Sequence, residues 1–135
     1  MGLFENKRDE ITSLESVLLR ESGMRITTEY EIVPKDGQAE VSLYFIRYES
    51  GTGKDERELQ KRVALTMEEV LTRLNDCRIM KWNGFNGPNP PGLLDGTMFR
   101  FEAVLNSGEK IRASGSNNFP KHYRELKDWF YTVLQ

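Results

Sequence analysis

Apolar residues near the start of the chain fall at helical spacings: Phe4, Ile11, Leu14, Val17 and Leu18. Positions three, four and seven apart share one side of a helix, and acidic residues early with Arg20 late suit its dipole. The pattern predicts a helix from about Phe4 to Glu21, ended by Ser22-Gly23. From Met24 the period drops to two, with Met24, Ile26, Thr28, Tyr30 and Ile32 alternating with Arg25, Thr27, Glu29 and Glu31. That predicts a strand with one dry and one wet face. Pro34-Lys35-Asp36-Gly37 is turn chemistry, and Val41, Leu43 and Phe45 then resume the alternation, so the two runs are expected to pair as an antiparallel hairpin.

Residues Glu49 to Arg57 are polar and glycine-containing, which suits the tip before a third strand. Leu59, Val63, Met67, Val70, Leu71 and Leu74 fit one long helix, yet Thr66-Met67-Glu68-Glu69 carries the capping-box signature that starts a helix. The cap sets the break: Glu58 to Leu65 is predicted extended, with Leu59, Val63 and Leu65 facing in, and Thr66 to Asp76 helical. After Ile79-Met80-Lys81-Trp82, the stretch to Gly96 is too rich in proline and glycine for regular pairing. Phe99, Phe101, Ala103 and Leu105 alternate with polar neighbours, and Asn106-Ser107-Gly108-Glu109 turns the chain into a second hairpin running to Gly115. Pro120 then opens a last helix with the stripe Tyr123, Leu126, Trp129, Phe130, Val133 and Leu134. The predicted order is α-β-β-β-α-β-β-α: one α+β domain over residues 1–135, with a mainly antiparallel five-stranded sheet and helices packed on one face.

Composition narrows the functional classes. A 135-residue chain with 38% hydrophobic and 30% charged residues suits one globular domain without metal or disulfide staples. No run approaches the roughly 18 apolar residues that span a bilayer, and the N-terminus turns charged before a signal-peptide core forms. With Cys77 the single cysteine, no intrachain disulfide exists and a cytoplasmic setting is expected. A net charge of -2 offers no bulk attraction to nucleic acid or an anionic membrane, so neither is an expected partner.

Most candidate chemistry fails its spacing rule. Gly51-Thr52-Gly53-Lys54 suggests a phosphate-binding loop, but the motif's first glycine falls on Tyr48 and Asp55 follows the lysine. His122 is the only histidine, so no histidine pair or triad for a metal can be built, and it reads as an exposed polar residue at the start of the last helix. Cys77 sits at a helix C-terminus, which raises a thiol pKa and favours a structural role. Glu68-Glu69 belongs to a first helical turn and Asp55-Glu56 to a charged tip. No cofactor or metal is expected from these residues.

The exception is the loop from Trp82 to Gly96. Unstructured connections of about 15 residues are uncommon in compact domains and are often functional. Trp82 and Phe85 supply flat apolar surface, Asn83, Asn86 and Asn89 supply hydrogen-bonding amides, and Asp95 a charge. The competing reading is that the apolar residues pin the loop to the core. The segment 115–120 adds Ser116 and Asn118, either of which suits capping of the last helix.

Trp82-x-Gly84-Phe85, Leu94-Asp95-Gly96-x-x-Phe99 and Gly115-Ser116-Asn117-x-x-Pro120 together resemble a group of uncharacterised bacterial domains with a W-x-G-F, D-G-x-x-[WF] and G-S-N-x-x-P order. The resemblance is specific between Trp82 and Pro120, and Phe99 stands where that pattern often has tryptophan. It implies a shared structural signature in which loop 82–96 and segment 115–120 meet at one end of the sheet, and it implies no reaction, the function of that group being unknown.

The leading expectation is a non-catalytic binding or protein-interaction domain with a surface of Trp82, Phe85, Asn86, Asp95 and Asn118, recognising a protein partner or a small polar ligand. The alternative is a hydrolase-like enzyme using Asp95 and His122 in a pocket near the 82–96 loop. A third expectation is a homodimer through the N-terminal helix, whose stripe also includes Leu3.

Overall fold

The computed structural model describes residues 10–23, 26–48, 55–88 and 96–135. The chain forms β1 (Leu14–Ser22), β2 (Thr27–Lys35), β3 (Gln38–Tyr48), β4 (Asp55–Leu65), α1 (Met67–Asp76), a 3-10 turn (Ile79–Trp82), β5 (Asn86–Gly87), β6 (Met98–Leu105), β7 (Glu109–Ser116) and α2 (Tyr123–Val133). One sheet in the order β4-β3-β2-β1-β6-β7-β5 takes in every strand. All pairings are antiparallel except the two-residue one between β5 and β7. The α+β class and the mostly antiparallel sheet agree with the periodicities, but among the described residues there are seven strands rather than five, and four of them precede the first helix.

The N-terminal helix is the main correction. Leu14–Ser22 is a strand, bonded to β2 on one side and β6 on the other. Its register shifts by one residue between Leu14 and Ser16. A bulge of this kind puts residues three apart on the same face, and Leu14 and Val17 are both buried. The strand thus imitates a helical spacing over its first turn's worth of residues. Only beyond it do Val17 and Leu19 show the period of two, both fully buried while Leu18 between them is half-buried on the other side. Residues 1–9, and with them Leu3 and Phe4, lie outside the described residues. The dimer expected through an N-terminal helix loses its basis, because residues 14–22 form a strand flanked on both sides within the sheet.

Other boundaries follow their sequence signals. Thr66 Oγ1 accepts the Glu69 N–H at 3.1 Å, so α1 starts where the cap sets it and β4 ends before it. A second register shift, between Leu43 and Tyr44, turns Leu59 away from the side of Val63, leaving it 46% exposed rather than facing in. Ile26, expected on the dry face of the first hairpin, is 48% exposed. Within the stretch expected to be irregular, Asn86–Gly87 pairs with β7, and a 3-10 turn, Ile79–Trp82, leads into it.

The registers divide the sheet into two faces. One carries Leu19, Tyr30, Ile32, Val41, Phe101 and Leu105, and the buried residues of α1, of the 3-10 turn and of α2 join the same core cluster. Phe130 stacks on Tyr30 with ring centroids 4.7 Å apart. Tyr123 donates its hydroxyl hydrogen to Glu21, and Lys127 Nζ lies 2.7 Å from the other Glu21 oxygen, so a polar tie fixes α2 to the end of β1. Among the described residues no helix is long and apolar enough to cross a membrane.

Candidate functional site

The opposite face of the sheet is polar, and its chemistry is read directly from the strand register. Glu29 on β2, Arg20 on β1, Arg100 on β6, Ser114 on β7 and Asn86 on β5 are successive cross-strand neighbours in a single row. Thr27, Ser22, Met98 and Ser116 form the next row. Adjacent strands run about 4.8 Å apart, so side chains in one row lie within reach of one another.

At the β2 end the charges are matched. Glu29, with a side chain only 7% exposed, accepts a hydrogen bond from Arg20 Nε at 2.8 Å and forms an ion pair with Arg57 Nε at 3.1 Å. Arg20 also lies 3.5 Å from Asp55, and the Arg57 guanidinium sits 3.8 Å over the Tyr44 ring. A buried carboxylate held by two cations satisfies its own desolvation cost and rigidifies this half of the face.

At the β7 end the surface opens into a groove of about 420 Å³. Its polar lining is Arg20, Ser22, Asn86, Arg100, Ser114 and Ser116, with Met98 and Phe99 as apolar wall. No carboxylate is among the described residues that line it. The side chains of Asn86, Arg100 and Ser114 have no hydrogen-bond or ionic partner among the described residues, and Asn86 and Arg100 are exposed. Such a surface offers hydrogen-bond donors and one open cation to a ligand.

Close packing beside this groove explains three glycines of the 82–120 region, Gly87, Gly96 and Gly115. Gly87 and Gly115 both abut Asn118, and a Cβ at Gly115 would stand 2.1 Å from the Asn118 carbonyl oxygen and 2.7 Å from the Phe99 ring. Gly96 is pressed against the Asn117 side chain. Asn117 adopts a positive φ of 53°, accepts the Thr97 N–H on its side-chain oxygen at 2.8 Å and donates its own N–H to the Thr97 carbonyl at 2.9 Å. Segments 83–87 and 112–118 meet: Gly84 N–H donates to the Arg112 carbonyl, Ser114 N–H to the Phe85 carbonyl and Arg112 N–H to Asn83 Oδ1, while Gly87 pairs with Gly115 and abuts Asn118.

The residues singled out from the sequence separate accordingly. Trp82 is core: 2% exposed, edge-on to Phe101 at 4.9 Å, with its indole N–H donated to the Lys121 carbonyl at 2.9 Å. Phe85 is half-buried against Phe99. Asn118 is exposed, and its side chain and carbonyl pack on Gly87 and Gly115 rather than capping α2. The residue before α2 is His122, in a left-handed conformation without a side-chain cap, and its Nδ1 lies 2.9 Å from Glu125 Oε1. Ser116 lies on β7 at the groove. Asp95, and with it the acid partner of the hydrolase alternative, lies outside the described residues, as does Asn89. Of the described residues of the expected surface, only Asn86 lines the groove. Arg20, Arg100 and Ser114 do not stand out in the sequence, because helical spacing puts Arg20 in the expected N-terminal helix and the other two fall on the second hairpin, where nothing local marks them. The available signal was the coincidence of two arginines on the wet face of paired strands.

Cys77 is fully buried, and burial pushes its thiol up to about 11, which fits the structural role read from its position. Among the described residues no group of three or more histidine, cysteine or acidic side chains is placed to hold a metal ion. Comparison with known protein families, with curated proteins and with solved structures finds no match to the chain.

Proposed function

We propose that the chain is a binding domain for a small polar ligand, which sits in the groove between β1, β6, β7 and β5. The observation that carries this reading is the row Arg100, Ser114 and Asn86, three polar side chains on adjacent strands that make no bond within the described protein and line one concave surface. A groove of about 420 Å³ suits a small molecule better than a protein surface, which is recognised over a larger and flatter area. A cytoplasmic setting stays part of the proposal, supported by a single, buried cysteine. The likeness to the uncharacterised bacterial domains is likewise carried forward as a proposal, supported by the packing of Gly87, Gly115 and Asn118 of its motif regions against one another.

The test is a screen of the full ¹⁵N-labelled chain against small polar molecules by amide chemical shift. Saturable shifts confined to residues 86–87, 98–100 and 114–116 are expected. Ligands that move only amides elsewhere, for instance around His122, would refute the groove as the site.

A further inference from the structure

We infer that the ligand of this groove is a small oxyanion, carrying a carboxylate or phosphate group that docks on Arg100. The inference rests on the groove being the binding site, and its first support is the charge pattern of the face. Arg20 pairs with Glu29, Arg57 with Glu29 and Glu31, Arg62 with Glu40, and Arg112 with Glu102. Among the arginines of this face, Arg100 alone has no carboxylate partner among the described residues. It stands directly opposite Arg20, so two like charges face each other across β1 and β6. Glu29 and Asp55 already screen Arg20, so Arg100 is the member of this pair left open to an anion.

The neighbouring donors fit the same ligand. Ser22 Oγ accepts a hydrogen bond from Thr27 Oγ1 at 3.2 Å, which leaves its own proton to donate. Ser114 and Asn86 follow Arg100 in the row and add a hydroxyl and an amide N–H₂. A guanidinium presents two parallel N–H groups that match both oxygens of a carboxylate or phosphate, and the flanking donors satisfy the remaining lone pairs. With no carboxylate among the described lining residues, nothing described in the groove repels such a group.

The test is titration of the full ¹⁵N-labelled chain with inorganic phosphate and, separately, with succinate, at ionic strength held constant with sodium chloride. Saturable shifts at residues 86–87, 98–100 and 114–116 and at the Asn86 side-chain amide are expected with at least one of the two anions. Arg100→Gln should weaken that binding tenfold or more, the scale of losing a charge-assisted contact. Arg112→Gln, on the same face but paired with Glu102, should leave it unchanged, and neither variant should lower the thermal midpoint of the free protein. Shifts that grow linearly without saturating, or that persist unchanged in Arg100→Gln, would overturn the inference. If a neutral molecule such as glucose saturates the same amides while both anions fail, the anion assignment falls and the groove stands. If nothing saturates there, both fall.

Discussion

The Glu29 carboxylate lies between the Arg20 and Arg57 guanidinium groups, with a side chain only 7% exposed. The period of two places it on the wet side of its strand, and it does occupy the polar face, yet it is buried there between Arg20 and Arg57. Burial of a polar-face residue depends on what the neighbouring strands bring over it, which local sequence does not encode. Glu29→Gln leaves two partly exposed cations facing a neutral amide. It should cost about 1 to 3 kcal/mol in urea denaturation, less than for a fully enclosed pair because solvent screens the arginines. Cys77 gives a second expectation. Its thiol pKa is raised in the folded chain to about 11 from an ordinary 9.0, so folding holds the proton more tightly than the unfolded chain does. The resulting stability is fully present below pH 9.0 and is lost as pH rises toward about 11. Tyr30 and Tyr123, whose pKa values burial also raises above the ordinary 10.0, add to the loss as pH rises past 10.0. Denaturant midpoints measured across this range should fall on the alkaline side, and Ellman's reagent near neutral pH should label Cys77 only after unfolding.

At the scale of elements, caps and hairpin turns were legible because their chemistry is local. Thr66 caps α1 through an atom three residues away, and Asp36-Gly37 forms the tight turn between β2 and β3 with both residues at positive φ. Bulges were not legible, since whether one residue is squeezed out of register is decided by the partner strand. The bulge at Leu14/Ser16 converts a strand into an apparent helix, and the one at Leu43/Tyr44 reverses the face of Leu59. The β5–β7 pairing was hidden for the same reason, two residues being too few to show a period. Its packing makes a sharp prediction. Gly115→Ala would drive a methyl group into the Asn118 carbonyl and should destabilise by about 1 to 3 kcal/mol, whereas Gly23→Ala, whose Cβ among the described residues would meet only the Ile26 carbonyl at 3.9 Å, should be tolerated. Thermal unfolding of the two variants compares them directly.

For the molecule as a whole, β1 lies at the centre of the sheet order, with three strands on either side of it. A chain beginning at Gly23 would leave β2 and β6 with unpaired edges and remove Val17 and Leu19 from the core. It should show no cooperative unfolding transition by near-ultraviolet circular dichroism, and a cooperative transition would mean that β1 is dispensable. On the other side of the core, Phe130 is fully buried against Tyr30 and beside Trp129. Phe130→Ala should cost about 3 to 5 kcal/mol, measurable as a lower denaturant midpoint with Trp129 fluorescence as the probe.

Taken by itself, the sequence determined the α+β class, the two hairpins, the capped helix α1 and the apolar stripe of α2, because periodicity, turn chemistry and capping act over a few neighbouring residues. It also marked the 82–120 region as structurally special through its glycines, whose close approach to Asn117 and Asn118 the fold accounts for. Only the tertiary structure decided that residues 14–22 form a strand between β2 and the distant β6, that Trp82 belongs to the core, and that Arg20, Arg100, Ser114 and Asn86 fall in one row. These four residues are spread over much of the chain, and what joins them is the hydrogen-bond register of four strands. Register is a property of pairs of segments, so no single stretch of the sequence contains it.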